Sequence, residues 1–232
     1  MPSDGRRTDG RWLVTVAAIV AGVVVLGCAT TGPTTGPSGP SGSSSPPDGS
    51  MTPAEGPSVA PAEVAAAAAM IDATDLDDSE TIAALQGIRF TDAGTAAARA
   101  AIEGGAKGDE LWAATWVYAS FATDPEPLLA PLGADDPSTR LMAAAGLVSL
   151  GRLEGFDVLV GELSSPDWLA GSHPPTTIAR FAAHTLERYT GVDLGLDPSA
   201  TPEAVATAWA AWLETSRDRI TFEPETATWS VR

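Results

Sequence analysis

Apolar side chains recur at helical spacing over most of the chain, from about residue 61 to residue 217. Apolar residues three to four positions apart form one stripe on a helix, so this spacing predicts a series of amphipathic helices. Capping residues, prolines and glycines set their predicted limits. Residues 220–231 alternate weakly and are predicted to form an extended tail packed on the final helices. The predicted helices are 61–73, 79–87, 91–104, 110–122, 124–132, 137–151, 154–163, 177–189 and 201–217.

Two of these helices share one pattern, 40 residues apart. Residues 137–151 and 177–191 each begin with a polar stretch, carry an arginine at the fourth position (Arg140 and Arg180), continue through an alanine-rich middle and close on a glycine. Self-similarity at a fixed period is typical of an α-solenoid, in which each helical unit buries its apolar face against its neighbours. The sequence therefore predicts an all-α fold built from repeated helix pairs.

The paired short and long helices, the Asp-Asp-Pro before the long helix, its early arginine and its alanine-rich middle resemble HEAT repeats over about residues 91–191. This resemblance implies a right-handed α-solenoid of HEAT-like helix pairs with a capping C-terminal helix and a short extended tail. It also implies a ladder of ion pairs between neighbouring units, with Asp136 placed to contact Arg140 and Arg180. Proteins of this family are mostly non-catalytic scaffolds and binding modules, so the resemblance implies interaction rather than turnover.

The N-terminal segment has a different pattern. Three arginines in residues 1–11 precede Trp12–Leu26, a charge-free apolar run that is short for a membrane span. A basic start and a short apolar core predict a secretory signal peptide. The run ends in Val25–Cys28, which resembles the lipobox of bacterial lipoproteins and implies removal of residues 1–27 and acylation of Cys28 with fatty acids such as palmitate. The alternatives are a signal peptide cleaved elsewhere and an uncleaved anchor.

Residues 28–62 form the link between the predicted lipid and the helices. They are rich in Thr, Gly, Pro and Ser and hold almost no apolar side chain, which predicts a disordered tether. Flexible-coil scaling gives this tether a root-mean-square reach of about 30 Å. The helical repeat domain is predicted to occupy residues 63–232.

Charge and cysteine content exclude several kinds of partner and site. The formal net charge is −17, which repels phosphate backbones and argues against nucleic-acid binding. Cys28 is the only cysteine, so the sequence predicts neither a disulfide nor a thiolate metal site. An acidic run starting at Asp75 departs from a calcium loop, because Glu80 and Gln86 stand where glycine and glutamate are needed. No metal and no cofactor are predicted.

Candidate chemistry concentrates in the long loop at residues 164–175. It holds Asp167, Trp168 and His173, and loops on rigid scaffolds often carry function. An exposed Trp168 would be a natural anchor for a partner, whereas a ring folded back onto the helices would be structural.

His184 is predicted to lie in the core or on a helix face. The pair Trp112 and Trp116, four positions apart, is predicted to lie in the core rather than to stack on a ligand.

The sequence favours a lipid-anchored protein on the extracytoplasmic face of the cell membrane, acting as a protein-binding or scaffold module at the cell envelope. No catalytic residue is predicted. The expected partners are the membrane, through the lipid on Cys28, and an unidentified protein, with Trp168 and His173 as candidate binding residues. An envelope hydrolase that uses the Asp167–His173 loop is the alternative. An accessory role in assembly or transport of envelope components is a third interpretation.

Overall fold

The computed structural model describes residues 59–172, 174–197 and 199–232. The predicted signal peptide, Cys28, most of the predicted tether and His173 lie outside the described residues. This part of the chain is mostly helical, and none of its helices is long and apolar enough to cross a bilayer. Its α-helices are α1 (Pro61–Asp72), α2 (Ser79–Ile88), α3 (Asp92–Glu103), α4 (Gly108–Phe121), α5 (Pro137–Ser149), α6 (Glu154–Glu162), α7 (Ile178–Thr190) and α8 (Pro202–Ser216).

Side-chain caps set most of the helix starts. Asp78, Thr91, Asp136, Thr177 and Thr201 each accept a hydrogen bond from a backbone N–H in the first turn of the helix that follows. Such a cap satisfies an N–H group that has no partner within its own helix, and removing it costs about 1 kcal/mol. Because capping is local, the predicted starts of these five helices agree with the structure to within a residue.

Two details of the predicted helices are wrong. The predicted helix at 124–132 is a pair of short 3-10 helices, Glu126–Leu129 and Pro131–Gly133. Prolines in this stretch lack the N–H that a continuous α-helix needs, and each disfavours helical geometry in the residue before it. Helix α4, predicted to begin at residue 110 with Asp109 as its cap, begins at Gly108, so Asp109 lies in its first turn. The carboxylate of Asp109 accepts a 3.4 Å hydrogen bond from the N–H of Leu76.

The C-terminal tail is extended, as predicted, and it folds back on itself as a hairpin. Strands β1 (Ile220–Glu223) and β2 (Thr228–Val231) pair antiparallel. The ring of Trp229 is buried and meets the ring of Phe156 edge-on, at 5.2 Å between centroids. Its Nε1 donates a 2.8 Å hydrogen bond to the carbonyl of Val148. The hairpin is thereby fixed to the end of α5 and to α6.

The core consists of two clusters of buried side chains that meet at α5. The first cluster is built by α1 to α4 and includes Leu147 of α5. The second is built by α5 to α8 and the hairpin, and it includes Leu141 and Val148 of α5. Helices α3 to α7 contact one another in chain order, whereas α1 packs mainly on α3 and α8 packs on α6. Helix α5 is therefore the element on which both clusters depend.

Two glycines let neighbouring helices approach α5 closely. A Cβ atom on Gly146 would lie 2.7 Å from Cβ of Ala119 in α4. A Cβ atom on Gly155 of α6 would lie 2.4 Å from the carbonyl oxygen of Ala144 in α5. Real Cβ atoms do not come so close to other atoms, and a helix backbone cannot easily move aside. These contacts require glycine and fix the spacing of α4, α5 and α6.

We expect Gly155→Ala to destabilise the protein by about 1–3 kcal/mol, because the added methyl group overpacks the contact with α5. The matched control is Gly161→Ala in the same helix, where a Cβ atom would have nothing within 4 Å. That change is expected to stabilise by about 0.5–1 kcal/mol through helix propensity. Urea denaturation of the two variants measures both values. Equal effects would contradict the close α5–α6 contact.

Candidate functional site

The α6–α7 loop, of which residues 164–172 and 174–177 are described, holds Asp167 and Trp168 in a hydrogen-bonded backbone. The N–H of Leu169 donates to the carbonyl of Thr176 at 2.9 Å, and the N–H of Ile178 donates to the carbonyl of Asp167 at 3.0 Å. These two bonds set Trp168 opposite Thr177 as an isolated antiparallel pair. Further along, the N–H of Ala170 donates to the hydroxyl of Ser138 at 3.1 Å. The loop is thus tied to α5 and to the start of α7.

The same loop contacts both core clusters. The side chain of Leu169 is 6% exposed and belongs to the second cluster, whereas Ala170 packs against the first. Gly171 has a left-handed backbone, with φ of 63°, and a Cβ atom there would lie 2.7 Å from Cη2 of Trp112 in α4. The next closest group is the side chain of Ile82 in α2. The unusual length of the loop is therefore explained by its reach across α5 to α4 and α2.

The ring of Trp168 is the exception in this packed loop. It is 67% exposed, while Trp112, Trp209 and Trp229 are buried. The ring does not fold back onto the helices, so the structural alternative for Trp168 is wrong. The backbone at Trp168 is held by its neighbours on both sides. Its exposed indole, however, makes no packing contact that the structure shows. Such a side chain is a candidate contact for a partner.

The other candidate of the loop that the structure describes is Asp167, which is exposed. Its Oδ2 lies 3.5 Å from the hydroxyl of Ser165, and its N–H points to that hydroxyl at 3.4 Å. Such a turn orders the loop and places the carboxylate in water. Within the described ranges, no group of three or more His, Cys, Asp and Glu side chains is arranged to hold a metal ion.

The predicted ladder of Asp136, Arg140 and Arg180 is wrong. Arg140 binds Glu162 at the end of α6, at 2.6 Å, and also donates to the carbonyls of Ala134 and Asp135. Asp136 directs both carboxylate oxygens at the first turn of its own helix α5. An N-cap acid is already occupied by backbone N–H groups, so the arginine takes the nearly buried carboxylate of Glu162 instead.

The third member of that predicted ladder, Arg180, lies on the surface of α7. Its side chain is exposed, and no ion pair involves it in the part of the chain that the structure describes. His184, one turn further along α7, is exposed as well, so it is a helix-face residue and not a core residue. Together they form an exposed stripe that begins one turn after Thr177, the residue paired with Trp168.

A buried arginine in the first cluster was missed by the sequence analysis. Arg89 is only 6% exposed, and its guanidinium lies 4.2 Å from the ring centre of Phe90 and 5.1 Å from that of Trp116. Burial lowers the pKa of Arg89, because removal from water disfavours the charged form.

The rings of Trp112 and Trp116 lie 5.2 Å apart. Trp112 is buried, which confirms its predicted place in the core.

A shallow depression of about 490 Å³ lies at the turn between α3 and α4. Its walls are mostly alanines and glycines, and Lys107 and Glu110 are its charged residues. Both side chains come from the start of α4, and no histidine or cysteine lines the depression. Apart from the ammonium group of Lys107 and the carboxylate of Glu110, the residues that line this depression carry no charged or nucleophilic side chain.

Comparison with known proteins gives no family for the chain. A scan against protein-family models, a search of curated proteins and a search of solved structures each found no match. The likeness to HEAT repeats therefore rests on the sequence pattern, and the function has to be argued from the residues themselves.

We expect Trp168→Ala to change the free energy of unfolding by less than about 0.5 kcal/mol, because the exposed ring contributes little to packing. The neighbouring change Leu169→Ala should cost about 2–5 kcal/mol, since it empties a buried position. Chemical denaturation followed by circular dichroism measures both variants. A loss of stability in Trp168→Ala similar to that in Leu169→Ala would show that the ring is structural.

Proposed function

We propose that the described helices form a right-handed α-solenoid of HEAT-like pairs, with α8 and the hairpin at its C-terminal end. Helices α5 and α7 support this proposal, because each has 13 residues. Each is followed by a glycine with positive φ, Gly151 at 80° and Gly191 at 64°, and these glycines are 40 positions apart in the sequence. The contacts of α3 to α7 in chain order are what such stacking requires.

We propose that the protein is a protein-binding or scaffold module, and the exposed Trp168 on its fixed loop carries this proposal. Binding energy at protein interfaces concentrates in a few residues, and tryptophan is enriched among them. A contact residue held by a rigid backbone loses little conformational freedom when it binds. Trp168 meets both conditions, because its ring is 67% exposed and its neighbours are hydrogen-bonded and buried. Catalysis has no comparable support, since the carboxylate of Asp167 faces water.

We further propose that this module is anchored to the extracytoplasmic face of the cell membrane by lipid on Cys28. The signal-like residues 1–27, the position of the single cysteine and the Thr/Gly/Pro/Ser-rich residues 28–62 support the anchor. A tether with a reach of about 30 Å would let the helical domain meet partners near the membrane. The acidic net charge of −17 opposes close contact of the domain itself with anionic lipid headgroups.

Affinity capture of the intact protein from membranes, with cross-linking and quantitative mass spectrometry, tests the binding proposal. We expect at least one envelope protein to be recovered with the wild-type chain and depleted about tenfold with Trp168→Ala. Phe121→Ala is the matched control, because Phe121 is an exposed aromatic residue on another element. Recovery that is the same for the wild type and Trp168→Ala would overturn the assignment of the surface.

A separate experiment tests the anchor. We expect Cys28→Ser to move the protein from the membrane fraction to the soluble extracytoplasmic fraction, because a serine cannot receive the lipid that holds the chain. Cell fractionation and metabolic labelling with a palmitate analogue measure the change, and Trp168→Ala should leave both readouts unchanged. A Cys28→Ser protein that stays in the membrane would identify residues 12–26 as an uncleaved anchor.

A further inference from the structure

We infer that Trp168 and Arg180, extended by His184, form one docking surface for an acidic segment of a partner protein. The inference rests on the proposed binding function and gives its partner a charge. The first step is proximity. The bonds on either side of the Trp168–Thr177 pair make it a pair without mutual hydrogen bonds, whose Cα atoms lie about 4.5 Å apart. Arg180 is one helical turn beyond Thr177, so its Cα lies within about 11 Å of that of Trp168.

The second step concerns which side chains share this surface. Opposed residues of an antiparallel pair direct their side chains to the same face, so the indole of Trp168 and the hydroxyl of Thr177 lie together. That hydroxyl accepts from the N–H of Arg180, which places it over the first turn of α7. Asp167, the residue before Trp168, lies in a turn in which its Oδ2 is 3.5 Å from the hydroxyl of Ser165. The basic residue nearest in sequence to Thr177 is Arg180.

The third step is that no carboxylate of the described residues neutralises this arginine. Five of the nine arginines that the structure describes contact carboxylates, whereas Arg180, like Arg219, is exposed and makes no ion pair with any described residue. The first acid further along α7 is Glu187, two turns and about 10 Å away along the helix axis. The arginines bound by carboxylates are Arg99, Arg140, Arg152, Arg217 and Arg232.

The chemistry of these side chains suits an acidic partner. A guanidinium binds a carboxylate with two parallel hydrogen bonds, and a tryptophan next to it supplies apolar area and one N–H donor. Tryptophan and arginine are also the residue types most enriched at binding hot spots. His184 adds a further hydrogen-bonding group one turn along the stripe. A basic segment would instead meet the positive charge of Arg180 at the only large exposed ring of the loop, which costs binding energy.

Selection of a random dodecapeptide library, displayed on phage, against the full-length protein in detergent micelles tests the inference. We expect the selected peptides to be rich in Asp and Glu, and their affinity to fall about tenfold or more with Trp168→Ala and with Arg180→Glu. Lys107→Glu is the matched control, because it makes the same charge change at another exposed cation. It should change the affinity by less than about twofold.

Each outcome decides a different point. Peptides that depend on Trp168 but are neutral or basic would overturn the acidic partner and leave the binding function standing. Acidic peptides that bind Arg180→Glu and Lys107→Glu equally well would remove Arg180 from the surface. Failure to select any peptide that depends on Trp168 would count against both proposals, and the capture of envelope proteins with wild type and Trp168→Ala then decides the binding function by itself.

Discussion

The packing of helix α5 from both sides is the constraint on which the rest of the structure depends. Its residues enter both core clusters, Leu147 on one side and Leu141 and Val148 on the other. Gly146 and Gly155 permit contacts with α4 and α6 that no larger residue would allow. A helix held in this way has little freedom to shift, because close-packed interiors leave no space for it to move into. The positions of α4 and α6 follow from these contacts.

The two ends of α5 also hold surface segments in place. At its start, Asp136 caps the helix, Arg140 binds Glu162, and Ser138 accepts the N–H of Ala170 from the α6–α7 loop. At its end, the carbonyl of Val148 receives the indole N–H of Trp229 from the hairpin. The loop and the hairpin are therefore both attached to the most constrained helix. This explains how a long loop can hold an exposed tryptophan between residues that are hydrogen-bonded and buried.

The sequence predicted what local chemistry determines. Thr91, Asp136 and Thr177 are helix caps whose effect needs only their neighbours in the chain, and their helices begin where predicted. The helical spacing of apolar residues likewise predicted which segments are helical. The helix predicted at 124–132 failed because three prolines within seven residues, Pro125, Pro127 and Pro131, outweigh a favourable apolar spacing.

What the sequence could not predict depends on distances between segments. Arg140 had Asp136 near it in sequence, yet it binds Glu162, whose position depends on how α6 folds back on α5. The burial of Arg89 against aromatic rings and the contact of Gly171 with Trp112 have no local signal either. The exposure of Trp168 also has no local signal in the sequence, because the next residue, Leu169, is apolar as well and yet is buried.

The exposed indole also has to be reconciled with the acidity of the chain. An apolar ring left in water is a liability for solubility, and a net charge of −17 offsets it because similarly charged copies repel one another. Repulsion of this kind is screened beyond a Debye length of about 8 Å at physiological ionic strength. A partner that approaches Trp168 within that distance meets nearby charges, such as that of Arg180, more than the charge of the whole chain. A surface of opposite sign can therefore select an acidic partner while the body of the protein keeps its own copies apart.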